Sequence, residues 1–160
     1  MPNYDKGSSK KIVVDFSKCA GCRLCEIVCS FFRQRECNPS RSRIRIVKVD
    51  RVGVNVPIVC LHCEDPPCMD VCPVKAISRD PQTGIVRVRT EVCIGCRKCI
   101  FACPFGAVFF NVKERMILKC DLCGGDPRCV KFCETGAIRY RKASTVEMKK
   151  MVIVMRSVRR

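Results

Sequence analysis

Sixteen of the seventeen cysteines in this chain fall into four blocks of four. The first block is Cys19, Cys22, Cys25 and Cys29, and the second is Cys60, Cys63, Cys68 and Cys72. The third is Cys93, Cys96, Cys99 and Cys103, and the fourth is Cys120, Cys123, Cys129 and Cys133. Blocks one and three share the run C-x2-C-x2-C-x3-C, which holds iron–sulfur clusters in pairs, its fourth cysteine serving the other cluster. Three thiolates at i, i+3 and i+6 on a tight loop reach three corners of one cube, and the fourth points away to a neighbouring one. A following proline fixes that turn and removes a backbone donor. Pro73 and Pro104 stand there in blocks two and three, Ser30 and Glu134 in blocks one and four. The spacing therefore predicts a wire of four [4Fe–4S] cubanes.

Two bland readings compete. Disulfides need an oxidising compartment, yet Met1–Lys11 is polar, with no apolar core and no twin arginine, so a cytoplasmic location is expected. Zinc takes C-x2-C pairs, but usually two of them across a dozen or more residues. It has no use for a third and a fourth cysteine, four times over.

The 48% hydrophobic content counts the seventeen cysteines, so the conventional apolar core is thin. Cluster binding must supply the missing folding free energy, and the apo-chain is expected to be largely unfolded. The formal charge of +16 invites a nucleic-acid reading. Each cubane with its four thiolates carries about −2, however, which brings the loaded protein to about +8. The basic excess near the C-terminus (Arg139, Arg141, Lys142, Lys149, Lys150, Arg156, Arg159, Arg160) suits either an acidic partner or a solvated face. No run of eighteen apolar residues exists, so no membrane span is expected.

Along the chain, residues 1–11 read as a polar, flexible leader. Ile12–Phe16 reads as a strand entering block one, and Arg43–Val49 with Val52–Val59 as a hairpin around Gly53. DPQTG at Asp80–Gly84 is a turn before a strand at Ile85–Arg89. Ala107–Phe110 and Ala137–Tyr140 read as strands closing each cysteine unit, and Met151–Met155 as a strand or a helix face. One block recurs about every 30 residues. Blocks two and three share C-P endings and flank the turn, which pairs them as one module and leaves blocks one and four as the other. The expected fold is α+β, with an inner ferredoxin-like module (56–112) inserted in an outer one (12–55 plus 113–145), followed by a basic C-terminal extension (146–160).

The stretches CAGCRLCEIVC, CLHCEDPPCMDVCP, CIGCRKCIFACP and KCDLCGGDPRCVKFC resemble the four-cluster, ferredoxin-like electron-transfer subunits of molybdenum or tungsten pterin oxidoreductases, hydrogenases and carbon monoxide dehydrogenases. The resemblance covers about residues 12–142. It implies one cluster on Cys19, Cys22, Cys25 and Cys133, and a second on Cys29, Cys120, Cys123 and Cys129. A third would take Cys60, Cys63, Cys68 and Cys103, and a fourth Cys72, Cys93, Cys96 and Cys99. No ligand is replaced, which argues against a [3Fe–4S] centre. The five-residue gap GGDPR and the stretch KCDLCGGDPRC look most like the small polyferredoxin subunit of tungsten-dependent aldehyde oxidoreductases.

The function expected is thus non-catalytic: electrons pass one at a time from a catalytic subunit's tungstopterin or molybdopterin centre along the cubanes to a flavin, NAD-linked or ferredoxin acceptor. The chain shows no nucleotide-binding glycine motif and no pterin-binding signature. Copies could also associate into longer wires. A hydrogenase, formate or carbon monoxide dehydrogenase partner is the alternative. A zinc-dependent nucleic-acid module is the remote one, disfavoured by few aromatics, with no Trp and only two Tyr. Four further features complete the reading. His62 reads as a partly exposed loop residue that could tune a cluster by hydrogen bonding. Cys37 reads as a small, buried or semi-exposed non-ligand. Gly124, Gly125, Asp126 and Pro127 read as turn chemistry that brings Cys129 back. Phe101, Phe105, Phe109 and Phe110 are expected to pack around the clusters.

Overall fold

Cysteines spaced every three to six residues leave room only for short elements, and short elements are what form. The computed structural model describes residues 10–158, so most of the leader, and Arg159 and Arg160 of the basic tail, lie outside the described residues. The architecture is α+β. Among the described residues, eight strands pair into four separate two-stranded antiparallel sheets: β1 (Lys11–Val14) with β8 (Ile138–Arg141), β2 (Arg45–Val49) with β3 (Val54–Ile58), β4 (Ile77–Arg79) with β5 (Val86–Val88), and β6 (Val108–Asn111) with β7 (Met116–Lys119). The first and last strands thus meet, Ile12 opposite Tyr140 and Val14 opposite Ile138.

The β2–β3 hairpin closes as the sequence predicts, with Gly53 left-handed at φ 65° after a single helical turn. Four helices carry cysteines: α1 (Leu24–Gln34), α2 (Pro67–Asp70), α3 (Lys98–Ala102) and α4 (Arg128–Lys131). α1 packs against α4, and α2 against α3. Phe32 of α1 lies 6.3 Å from Phe132, just past α4. Ser30 lets α1 run on for 11 residues. Its hydroxyl donates to the Ile27 carbonyl at 2.9 Å and accepts the Asn38 N–H at 3.1 Å, tying down the following loop. α4 stops at Lys131 without a proline, so proline is one device for the stop and not the only one.

The segment after Lys142 contributes a real element. Met151–Met155 lies in helix α5 (Thr145–Ser157), which opens with a capping box: Ser144 Oγ accepts the Glu147 N–H, and the Glu147 carboxylate accepts the Ser144 N–H. Met148, Met151 and Met155, one face of the helix, are all but inaccessible. α5 lies against β1 and β3, and the Val14 N–H points to Met151 Sδ at 3.4 Å. That cover explains why all four residues of β1 are buried. Sequence periodicity left strand and helix open here because five apolar residues fit either.

Arg141 pairs with Glu147, and that bond, ahead of the Ser144 contacts, pulls its carboxyl down to about 2. The folded value lies below the ordinary 4.5, so this contribution is fully present above about 4.5 and is lost as pH falls from 4.5 through about 2. Truncating the buried face should cost more. Met151→Ala should destabilise the chain by about 2–5 kcal/mol in thermal unfolding followed by circular dichroism. Ile153→Ala, at a position 67% exposed, should leave the transition where it is.

Candidate iron–sulfur centres

The cysteine loops are built on left-handed backbone. Within the first C-x2-C pair of each block the second spacer residue has positive φ: Gly21 at 69°, His62 at 48°, Gly95 at 66° and Leu122 at 54°. Arg23 and Arg97, which cap α1 and α3, share that conformation. A side chain in this region costs roughly 1–2 kcal/mol, so His62 and Leu122 hold their places against strain. At Gly95 a side chain has no place, because a Cβ would stand 2.7 Å from the Arg115 carbonyl oxygen.

These loops face four cavities, and four different cysteines line each one. The first is lined by Cys19, Cys22, Cys25 and Cys133, and the second by Cys29, Cys120, Cys123 and Cys129. The third is lined by Cys60, Cys63, Cys68 and Cys103, and the fourth by Cys72, Cys93, Cys96 and Cys99. Every cavity therefore takes three cysteines from one block and one from another. Among the described residues, no three His, Cys, Asp or Glu are grouped as ligands of a metal ion; the sulfurs ring a space instead.

Exposure differs between the cavities. All four cysteines of the third are buried, as are three of the second, whereas Cys22 of the first and Cys96 of the fourth are exposed. Cys37, the seventeenth, is exposed, not buried or semi-exposed as its residue type suggested, and it lines none of the four cavities.

Backbone donors converge on the sulfurs. Arg43 N–H donates to Cys29 at 3.3 Å, Ala76 N–H to Cys72 at 3.2 Å and Ala107 N–H to Cys103 at 3.4 Å. His62 and Leu122 N–H groups each donate at 3.4 Å to the first cysteine of their own pair. Asp121 receives Arg33 and, at 2.9 Å, Arg43, and caps the Cys123 N–H at 3.0 Å, which holds the fourth block against α1 and the segment after it.

Burial favours the protonated thiol at several of these cysteines. It pushes Cys25, Cys63 and Cys68 up to about 12 and Cys99 to about 11, and raises Cys120 and Cys129 as well. Only a metal that displaces the proton makes thiolate the stable form in such places.

The third cavity holds what the sequence did not reveal. His62 is 2% exposed, not the partly exposed loop residue its setting implied. Its Nδ1 accepts the Val86 N–H at 3.0 Å, and desolvation, then Lys119, holds its pKa well below the ordinary value. Lys119, at the end of β7, is 4% exposed, and its ammonium donates to Cys60 Sγ at 3.0 Å and to the Val86 carbonyl at 2.6 Å. Burial alone would lower its pKa, but the Cys60 sulfur holds it above the ordinary value. The phenylalanines divide. Phe105 is buried and lines this cavity. Phe109 and Phe110 are half-buried under Arg45 and Arg97 at 4.6 and 3.9 Å. Phe101 is 76% exposed, so the expectation that it packs around a cluster is corrected.

Comparison with known proteins gives this donor chemistry its context. Residues 52–143 match the family model of the 4Fe-4S dicluster domain, and residues 16–31 match a 4Fe-4S binding domain. The polyferredoxin-like subunit of an aliphatic sulfonate oxidoreductase from Pyrococcus furiosus is 43% identical over 122 residues, 76% of this chain and 70% of that protein. From Escherichia coli, the putative electron transport protein YsaA is 40% identical over 148 residues (85% and 92% of the two chains), and the electron transport protein HydN 38% over 152 (79% and 85%). The chain belongs to the 4Fe-4S dicluster-domain family. It is an iron–sulfur electron-transfer component of the multi-cluster ferredoxin type, non-catalytic, carrying four [4Fe–4S] clusters.

The loop geometry makes a test of itself. Gly95→Ala should remove roughly a quarter of the bound iron, one cluster in four, because metal binding and local folding are coupled. Gly53→Ala, left-handed too but with nothing within 4 Å of an added Cβ, should leave iron content unchanged by elemental analysis.

Proposed function

We propose that the four cysteine quartets ligate the four clusters as they line the cavities, and that the chain relays electrons from a catalytic oxidoreductase subunit. The observation that carries this is the three-plus-one lining of every cavity. The arrangement is supported by continuity between neighbours. α1 carries Cys25 of the first quartet and Cys29 of the second. Lys119 touches Cys60 of the third and precedes Cys120 of the second. α3 carries Cys99 of the fourth quartet, with Cys103 of the third at its end.

The order along the wire is thus first, second, third, fourth. When bound, each cluster supplies one-electron transfer. The protein's part is to position the sulfurs, donate N–H groups to them and exclude water from the inner pair. The exposed Cys22 and Cys96 support entry and exit at the two outer quartets. Leu24 and Phe132 at one end, and Val74 and Ile94 at the other, offer apolar surface beside them for partner subunits.

The nested reading, an inner module of residues 56–112 within an outer one of 12–55 plus 113–145, is supported by α1 against α4, α2 against α3, and β1 against β8. The catalytic partner is a pterin oxidoreductase, and the short GGDPR gap in KCDLCGGDPRC favours a tungsten-dependent aldehyde oxidoreductase. That the Pyrococcus furiosus relative is named a polyferredoxin-like subunit of an oxidoreductase accords with this. No helix among the described residues is long and apolar enough to cross a membrane, and the cytoplasm is the proposed location.

Anaerobic purification of the native complex tests the proposal. About sixteen iron and sixteen sulfide per chain are expected, with tungsten and pterin in the co-purifying subunit. Nickel there would assign the chain to a hydrogenase or carbon monoxide dehydrogenase, and far fewer irons would overturn the wire. Cys133→Ser should perturb the magnetic signature of the cluster held by Cys19, Cys22 and Cys25, and not that of the one held by Cys120, Cys123 and Cys129.

A further inference from the structure

The two inner quartets are the most buried, and burial disfavours the extra negative charge that a cluster gains on reduction. By exposure alone the third quartet, with all four cysteines buried, would hold the cluster hardest to reduce. Its charge environment points the other way.

Lys119 is a buried ammonium 3.0 Å from Cys60 Sγ, and its charge also acts on Cys68, Cys63 and Cys103. Among the described residues no other lysine ammonium donates to a cysteine sulfur. Lys11 is also buried and acts on Cys60 and Cys63. Arg79 donates to the carbonyls of His62 and Cys63. The opposing charge near this group is Glu64, whose field falls on Lys11. The first quartet has the reverse setting: the buried Glu26 carboxylate acts on Cys25 while accepting the Ile46 N–H. For Cys99 of the fourth quartet, the charges that act are other cysteines.

A second group adds to the first. Val86 is gripped at both ends, its N–H by His62 Nδ1 and its carbonyl by Lys119. An imidazole that accepts at Nδ1 carries its proton on Nε2. That Nε2 is buried with no hydrogen-bond partner, on a side chain lining the third cavity. Buried donors are rarely left unmatched, and a sulfur of a bound cluster would be the acceptor this one lacks.

We propose that Lys119 and His62 are the positioning residues that make the cluster of Cys60, Cys63, Cys68 and Cys103 the first of the four to be reduced, an inner electron store in an otherwise harder-to-reduce wire. The step is a one-electron reduction, the electron arriving from the catalytic oxidoreductase subunit through a neighbouring cluster, with no proton taken up. The added negative charge rests against the Lys119 ammonium and the His62 Nε2–H, both of which bind the reduced cluster more strongly than the oxidised one. This rests on the ligand sets proposed above.

The test is a redox titration of the whole loaded chain followed by electron paramagnetic resonance. Lys119→Met should lower the midpoint of the first-reduced cluster at least tenfold in its reduced-to-oxidised ratio, a 59 mV shift for a one-electron couple, and leave the two outer clusters unmoved. Lys119→Arg should restore most of it. His62→Leu, which reproduces the left-handed leucine that block four already uses at Leu122, should shift the same cluster in the same direction by less. Should Lys119→Met fail to fold, the wild-type chain labelled with 15N-lysine decides, since the first cluster reduced should show a 15N hyperfine coupling. A full complement of iron with no such coupling, or an unmoved first midpoint, overturns this inference alone. A wild-type chain with fewer than four clusters overturns the wire beneath it.

Discussion

Each cavity takes its fourth sulfur from a block that is distant in the chain, and this exchange organises everything else. Cys133 reaches the loop of Cys19–Cys25, and Cys29 reaches that of Cys120–Cys129. Cys72 and Cys103 trade places in the same way. A group bound in each cavity would close one long loop, where loop-closure entropy is otherwise lost without return. The elements between need only be long enough to set a sulfur's direction, which is why three- to five-residue strands and single-turn helices suffice. Strain is tolerated for the same purpose. His62, Leu122, Arg23 and Arg97 hold left-handed backbone because the loop must turn the next cysteine inward.

Much of this was legible in the chain, for a stated reason. Cysteine spacing encodes geometry directly, so the four blocks and their pairing, two with three and one with four, could be read before any coordinates, while the quartets came only from the resemblance to four-cluster electron-transfer subunits. The β2–β3 hairpin announced itself by alternation around Gly53, and the strands after blocks three and four by their place directly behind a cysteine block. What stayed hidden depends on neighbours distant in sequence. MVIVM reads equally as strand or helix, and only the packing of Met148, Met151 and Met155 on β1 and β3 decides it. His62 looked like a loop residue because its burial comes from Val86 and Lys119, far along the chain. Lys119 carried no signal at all. A lysine in a short strand reads as solvated, and nothing local says that a cysteine sulfur waits beside it.

The basic surplus of the sequence therefore divides by burial into two kinds of charge. Arg139, Arg141, Lys142, Lys149, Lys150 and Arg156 are exposed. Exposed charges are screened within a Debye length of about 8 Å at physiological salt, so whatever docking they assist must weaken as salt rises. Lys119 is closed off from that solvent. Two unit charges 4 Å apart interact by roughly 4 kcal/mol at an effective dielectric near 20, and mobile ions scarcely reach such a pair. Its action on Cys60 should be indifferent to ionic strength. The same residue type thus serves association on the surface and cluster energetics inside, and the net charge of +16, which first suggested nucleic acid, distinguishes neither until burial is known.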